Sequence, residues 1–235
     1  YKRQIQGMLG PVIFNLKSSK LISEGTLAQI KVVNTFLRYP EAVSKLGRGR
    51  NYHEEIKLIE QTPERNQAFK YIFDKLPESD NSIILVDRLE HLASITEYIK
   101  KEIGNKYTLY VINGSVKADD REVIRRTIDN EKNVILIATY GTVSTGINIK
   151  RIHNVILASS SKSEIRILQS IGRGLRTHED KTGVVIWDII DDFSYETRNG
   201  SLKKNHTYRH WEERYKYYNE QEFPVYKKTV NLIKE

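Results

Sequence analysis

The sequence predicts an α/β protein built on an open, mostly parallel sheet with helices on both faces. From about residue 82, short apolar runs alternate with amphipathic stretches of helical period, the pattern of strands buried on both sides and joined by covering helices. The connections are short, and parallel neighbours need a returning crossover of right-handed sense.

In chain order, Val32 to Leu37 read as an additional strand, and residues 46–52, with Gly47-Arg48-Gly49-Arg50, as loop. Residues 63–76 carry a helical pattern that opens on Pro63. Ile83-Ile84-Leu85-Val86 is a short buried strand, followed by a helix through Leu89, Leu92, Ile95, Ile99 and Ile103 that Gly104 stops. A strand over 107–112 leads into the turn Asn113-Gly114-Ser115, and a helix over 119–128 turns Val123, Ile124 and Ile128 inward. There follow a strand over 133–138, a turn through Gly141, a strand over 155–158, a helix over 165–175 and a strand over 183–190. Beyond 192 lie six of the fourteen tyrosines, with a helix expected over 206–221 and ended before Phe223-Pro224. Two readings of its aromatics stand: packing on the sheet, or stacking on bases.

The 235 residues, 39% apolar and 29% charged, suffice for one large domain with appendages. We divide them into a linker over 1–30, the sheet domain over 31–192 and a helical extension over 193–235. With no cysteine there is no disulfide framework, thiolate metal site or thiol nucleophile. Neither a membrane span nor a secretion leader is legible, so a cytoplasmic protein is expected. The net charge of +8 sits in the flanks: residues 1–50 hold nine Lys/Arg against two acids, and 195–235 nine against six. In the middle, 20 basic residues face 22 acidic ones, so any polyanion site there comes from placed residues rather than bulk charge.

No G-x-x-x-x-G-K-[ST] occurs, nor an acidic D-E-x-[HD] run after a strand, so the chain alone lacks P-loop chemistry. G-x-S-x-G and H-E-x-x-H are also absent. His206 and His210 stand four apart but have no third ligand of obvious spacing, and no metal is expected. Residues 137–148, Ile-Ala-Thr-Tyr-Gly-Thr-Val-Ser-Thr-Gly-Ile-Asn, follow a buried strand with small residues and hydroxyls. Such a turn lets N–H and OH groups approach phosphate, though an ordinary glycine turn reads the same way. In Gln169-Ser170-Ile171-Gly172-Arg173-Gly174-Leu175-Arg176, an apolar stripe of Ile165, Leu168, Ile171 and Leu175 leaves Gln169, Arg173 and Arg176 on another common face. Two guanidiniums side by side call for an anion, and the flanking glycines, each costing about 1 kcal/mol in a helix, suggest close approach by another surface.

These residues carry a resemblance. The stretch 137–148 resembles motif V, and Gln169 to Arg176 resembles motif VI, of superfamily 2 helicases and translocases. Residues 83–87 with their helix look like motif IV, and Gly114 with Arg121 like the intervening G-x-x-x-x-x-x-R element. Gly10-Pro11-Val12-Ile13 before Glu24-Gly25-Thr26-Leu27-Ala28 is similar to the interlobe passage of the UvsW-type phage DNA helicases. The resemblance implies a carboxyl-terminal RecA-like lobe that works with a missing first lobe on ATP and Mg2+ and tracks single-stranded or branched DNA. It further implies Arg176 as arginine finger, with Arg173 beside it on the γ-phosphate and Gln169 coupling to the attacking water. Gly146 and Asn148 would face the nucleotide; the family often has Asp where Asn148 stands. Thr139, Thr142 and Gly114 would hold strand phosphates, Gly114 through an exposed N–H at a helix amino terminus. Alone, the chain is expected to hydrolyse no ATP. A nucleotide-sugar transferase lobe and a non-catalytic nucleic-acid-binding module are the alternatives.

Overall fold

A computed structural model describes residues 28–144, 149–160 and 183–233. Its main sheet is built of the strands β1 (Gln29–Arg38), β2 (Ser82–Val86), β3 (Thr108–Ile112), β4 (Val134–Thr139), β5 (Asn154–Leu157), β6 (Gly183–Asp192) and β9 (Val225–Asn231). These seven are all parallel, in the order β3-β4-β2-β5-β6-β1-β9. A small antiparallel pair, β7 (Tyr195–Glu196) and β8 (Leu202–Lys203), follows β6. The helices are α1 (Glu41–Gly47), α2 (Tyr52–Gln61), α3 (Gln67–Phe73), α4 (Leu89–Glu102), α5 (Ala118–Asn130), α6 (Tyr140–Ser144) and α7 (His206–Glu220).

Strand alternation divides the core into two layers, because successive side chains leave a strand on opposite faces. Ile84, Val86, Ile135, Ile137, Ile156 and Ile189 meet α2, α3 and α4 on one face through Ile59, Phe69, Ile72, Ile95 and Ile99. Ile83, Leu85, Leu136, Val155, Leu157 and Ile186 meet Ile128 of α5 and Tyr218 of α7 on the other. At the amino edge the fully buried Asn81 ties three elements together. Its amide donates to the carbonyls of Ile128 and Glu131, and its side-chain oxygen accepts from Val134 N.

Several sequence readings change in detail. β1 lies inside the sheet, paired along its length with β6 and over seven residues with β9. Gly141 is a helical residue of α6 rather than a turn. The pattern over 63–76 resolves into a 3-10 turn, Pro63–Asn66, and then α3. The stretch 46–52 holds the end of α1 and the start of α2, leaving 48–51 as loop; Asn51 caps α2 in a reciprocal box with Glu54. Neither α1 nor β9 stands out in the pattern of the sequence. The helix expected over 165–175 lies outside the described residues.

Candidate nucleic-acid interface at the carboxyl edge of the sheet

In an all-parallel sheet every strand delivers its following loop to the same edge, where α/β proteins place their ligands. β3 and β4 are neighbours, with Ile112 opposite Ala138, so the Gly114 loop and the Thr139 turn emerge side by side. Asn113 Oδ1 accepts from Ser115 N at 2.9 Å and from Ser115 Oγ at 2.6 Å, closing a tight local turn. Arg121 then reaches back from α5: its Nε donates to Val116 O at 2.7 Å and its terminal nitrogen to Gly114 O at 3.4 Å. These bonds draw the loop's carbonyls toward the helix. Gly114 is exposed, nothing lies within 4 Å of where a Cβ would stand, and its N–H has no partner among the described residues.

One expectation needs correcting. Gly114 does not sit at a helix amino terminus, because α5 begins four residues later at Ala118. Asp119 and Asp120 fill the first turn of α5. Their negative charge complements the helix dipole and makes that turn unwelcoming to phosphate. Any contact at Gly114 comes from the loop backbone.

At the end of β4, the hydroxyls of Thr139 and Thr142 bond to each other at 2.7 Å, and both residues are buried. Between them on α6 the exposed residue is Gly141, which has open space beside its Cα. The sequence pattern points to the hydroxyls and the glycines of this stretch together, but not to the clamping role of Arg121. For Arg121 the seven-residue spacing from Gly114 was a signal, because it spans a loop and the first helical turn. Gln169, Arg173, Arg176, Gly146 and Asn148 lie outside the described residues.

Along the same edge a polar network anchors the end of β5. Ser159 Oγ accepts from Asp87 N at 3.1 Å and lies 3.0 Å from His91 Nδ1, while Ser159 O accepts from Tyr140 at 2.9 Å. Arg65 Nη1 lies 3.4 Å from His91 Nε2. A guanidinium can only donate, so Nε2 accepts and Nδ1 carries the proton toward Ser159. Burial, with the positive charges of Arg65 and Arg88 adding to it, drives the His91 imidazole down to about 3, so it is neutral at ordinary pH. Arg65 forks onto Asp191 at 2.8 and 3.0 Å and also donates to Ala158 O. Burial works against the charge on Arg65, but Asp191 more than offsets it and leaves the guanidinium firmly protonated. The network fixes the backbone of residues 158–159 at the end of β5.

Of the carboxyl-terminal aromatics, Tyr218 and Trp211 pack inward, whereas Tyr215 and Tyr226 are exposed. Tyr218 is fully buried and donates to Asp188 at 2.8 Å; Trp211 lies edge-on to Phe36 with ring centroids 4.8 Å apart. Packing on the sheet is therefore the reading that fits these two residues. His206 and His210 both stand against the Tyr52 ring, and among the described residues no group of three or more His, Cys, Asp or Glu could hold a metal. No helix among the described residues is long and apolar enough to cross a membrane.

The fold defines the class: the chain has the RecA-like α/β architecture and is similar to the carboxyl-terminal lobes of superfamily 2 helicases. Residues 64–178 match the helicase conserved C-terminal domain family, which removes support for a nucleotide-sugar transferase lobe. Within that class the likeness is to a phage protein. The chain is 34% identical, over an alignment of 235 positions that covers 97% of its length, to the ATP-dependent DNA helicase UvsW of Enterobacteria phage T4, of which it spans 46%. The crystal structure of T4 UvsW superposes with a TM-score of 0.74 at 33% identity, covering 88% of this chain and 43% of that one. The ATP-dependent Type ISP restriction-modification enzyme LlaBIII shares the fold, with a TM-score of 0.62 at 17% identity over 98% of this chain and 17% of that one. The chain thus spans less than half the length of these relatives.

Proposed function

We propose that this chain is the second motor lobe of an ATP-dependent DNA helicase or translocase that remodels branched or forked DNA in recombination and repair. The observation that carries the reading is the pairing of the Gly114 loop and the Thr139 turn on adjacent strands at one edge, in a chain 34% identical to a phage DNA helicase. An unpartnered backbone N–H at the exposed Gly114, with its loop carbonyls bonded by Arg121, suits a phosphate oxygen and reads no base. Binding of this kind is sequence-independent and falls steeply with salt.

In this reading ATP lies between this lobe and an amino-terminal RecA-like lobe of the same polypeptide, with residues 1–30 as the linker between them. Gly146 and Asn148 face the nucleotide, Arg176 and Arg173 meet the γ-phosphate, and Gln169 couples to the attacking water. A permanently charged, planar guanidinium is suited to neutralise charge building on the phosphoryl group. Mg2+ supplies further charge neutralisation when bound. The described residues offer no acidic cluster for it, so its ligands are assigned to the first lobe. Lobe closure on ATP and opening after hydrolysis then move one strand along the carboxyl edge. Replacing Arg176→Ala in the full-length protein is expected to lower ATP turnover by about 10³ to 10⁵ while DNA binding is retained. An unchanged kcat refutes the assignment.

A further inference from the structure

The loop Gly47-Arg48-Gly49-Arg50 has no part in the edge described above, yet the structure builds it with care. A Cβ on Gly47 would stand 2.5 Å from the Phe193 ring, so only glycine lets α1 end flat against that ring. Gly49 adopts φ +70°, a left-handed conformation that side chains resist. Together the two glycines fold the Arg48 and Arg50 backbone over the start of the β7–β8 hairpin. The Arg48 guanidinium lies 5.0 Å from the centroid of the Tyr195 ring, and Arg50 Nε bonds to Leu46 O.

Opposite this loop stand β8 and the first turn of α7, and a polar cavity of about 220 Å³ opens between them. Arg48, Arg50, Lys203, Lys204 and Arg209 line it, and Glu55 is the carboxylate in its wall. Glu55 is already committed. Buried beneath the cavity, it accepts from Asn205 Nδ2, His206 N, Thr207 N and Thr207 Oγ1 at 2.7–2.9 Å, capping α7 from outside the helix. Lys204 is paired with Glu212, whereas Arg48, Lys203 and Arg209 are exposed and make no ion pair among the described residues. Three unpaired cations around a concavity, with Arg50 beside them, repel one another unless an anion enters, and low-dielectric walls strengthen the attraction they exert on it. At about 30 Å³ per water, the space equals roughly seven waters, enough for a phosphodiester group with part of its hydration.

Position selects among phosphates. The cavity sits beyond the carboxyl ends of β1 and β6, on the edge that carries Gly114 and Thr139. β6 stands three strand spacings from β4, roughly 14 Å along the sheet. We infer that this cavity is a second backbone clamp, holding phosphodiester groups of the nucleic-acid strand that crosses the edge from the Gly114 loop. The identity of the ligand rests on the motor-lobe reading above, while its phosphate chemistry rests on the cavity itself.

The test is fluorescence anisotropy of this chain with a labelled oligothymidylate across about 50 to 200 mM salt, for wild type and for Arg48→Gln/Lys203→Gln/Arg209→Gln combined. Loss of three phosphate contacts is expected to weaken binding at least ~10-fold at low salt and to flatten the log–log salt slope by about 2, at about 0.7 per contact. Lys203 should also be protected from acetylation by the oligonucleotide while the exposed Lys101 on α4 is not. Wild-type affinity and slope in the triple variant, with Lys203 unprotected, overturn the clamp and leave the motor reading standing, since that is decided by ATP turnover in the Arg176→Ala protein. Pyrophosphate that protects Lys203 as well as the oligonucleotide does, at equal phosphate concentration, overturns the assignment to a strand. The three side chains are exposed, and an unchanged thermal midpoint in the variant verifies that its fold is intact.

Discussion

Removing one partner of the Asp188–Arg214 pair tests how the carboxyl-terminal helix is held. Asp188 on β6 is fully buried and Arg214 on α7 nearly so; the guanidinium forks onto the carboxylate at 2.9 and 2.7 Å and reaches Ser160 Oγ at 3.3 Å. Tyr218 OH donates to the same carboxylate. Arg214→Met leaves Asp188 with the tyrosine hydroxyl but without its cation, a broken buried pair that costs about 3 to 5 kcal/mol. With a urea m-value of about 3 kcal/mol/M, the unfolding midpoint falls by roughly 1 to 1.7 M. Trp187 adjoins Asp188 and Trp211 sits one turn before Arg214, so tryptophan fluorescence reports the transition. The double variant Asp188→Leu/Arg214→Met replaces the pair with apolar groups and should recover most of the loss. A single-variant cost under about 1 kcal/mol refutes the reasoning, because it means that water reaches the carboxylate.

Two further outcomes follow from the same structure. The His91 imidazole is held down at about 3 against about 6.5 in the unfolded chain, so the unfolded state takes up the proton first as pH falls. The stability this contributes is complete above about pH 6.5 and is lost toward pH 3, amounting to ~2 kcal/mol between pH 7 and pH 5. Urea melts at the two pH values should show that loss shrink in His91→Gln, and an equal loss in both proteins removes His91 as its source. Gly47→Ala drives a methyl into the Phe193 ring and is expected to cost about 1 to 3 kcal/mol, with partial recovery on adding Phe193→Leu. A thermal midpoint unmoved by the alanine contradicts that contact.

What the sequence made legible was the material buried on both sides. β2 places five buried residues in succession, and α4 keeps its apolar stripe through Leu92, Ile95 and Ile99, so pattern and structure coincide. β9 was hidden for the converse reason. Its Val-Tyr-Lys-Lys-Thr-Val-Asn is exposed at most positions, because an edge strand gains one partner and is kept polar to discourage further pairing. α1 was missed because Gly47 ends it, and a glycine–arginine run reads as loop until the Phe193 ring beneath it is known. At the edge, the Gly114-to-Arg121 spacing was visible, but the mutual bond of Thr139 and Thr142 depends on tertiary placement that no local pattern encodes. Asp188 and Arg214, 26 residues apart, carried no signal of their pairing.

The place of β1 has a consequence for the order in which the molecule assembles. Its ladder neighbours are β6 and β9, so the first described strand waits for a partner about 150 residues downstream, and loop closure over such a span is slow. The β2 to β4 block has its neighbours close at hand and can organise early. During synthesis, Ile30, Val32, Phe36 and Leu37 therefore emerge long before β6 can pair with the strand that bears them.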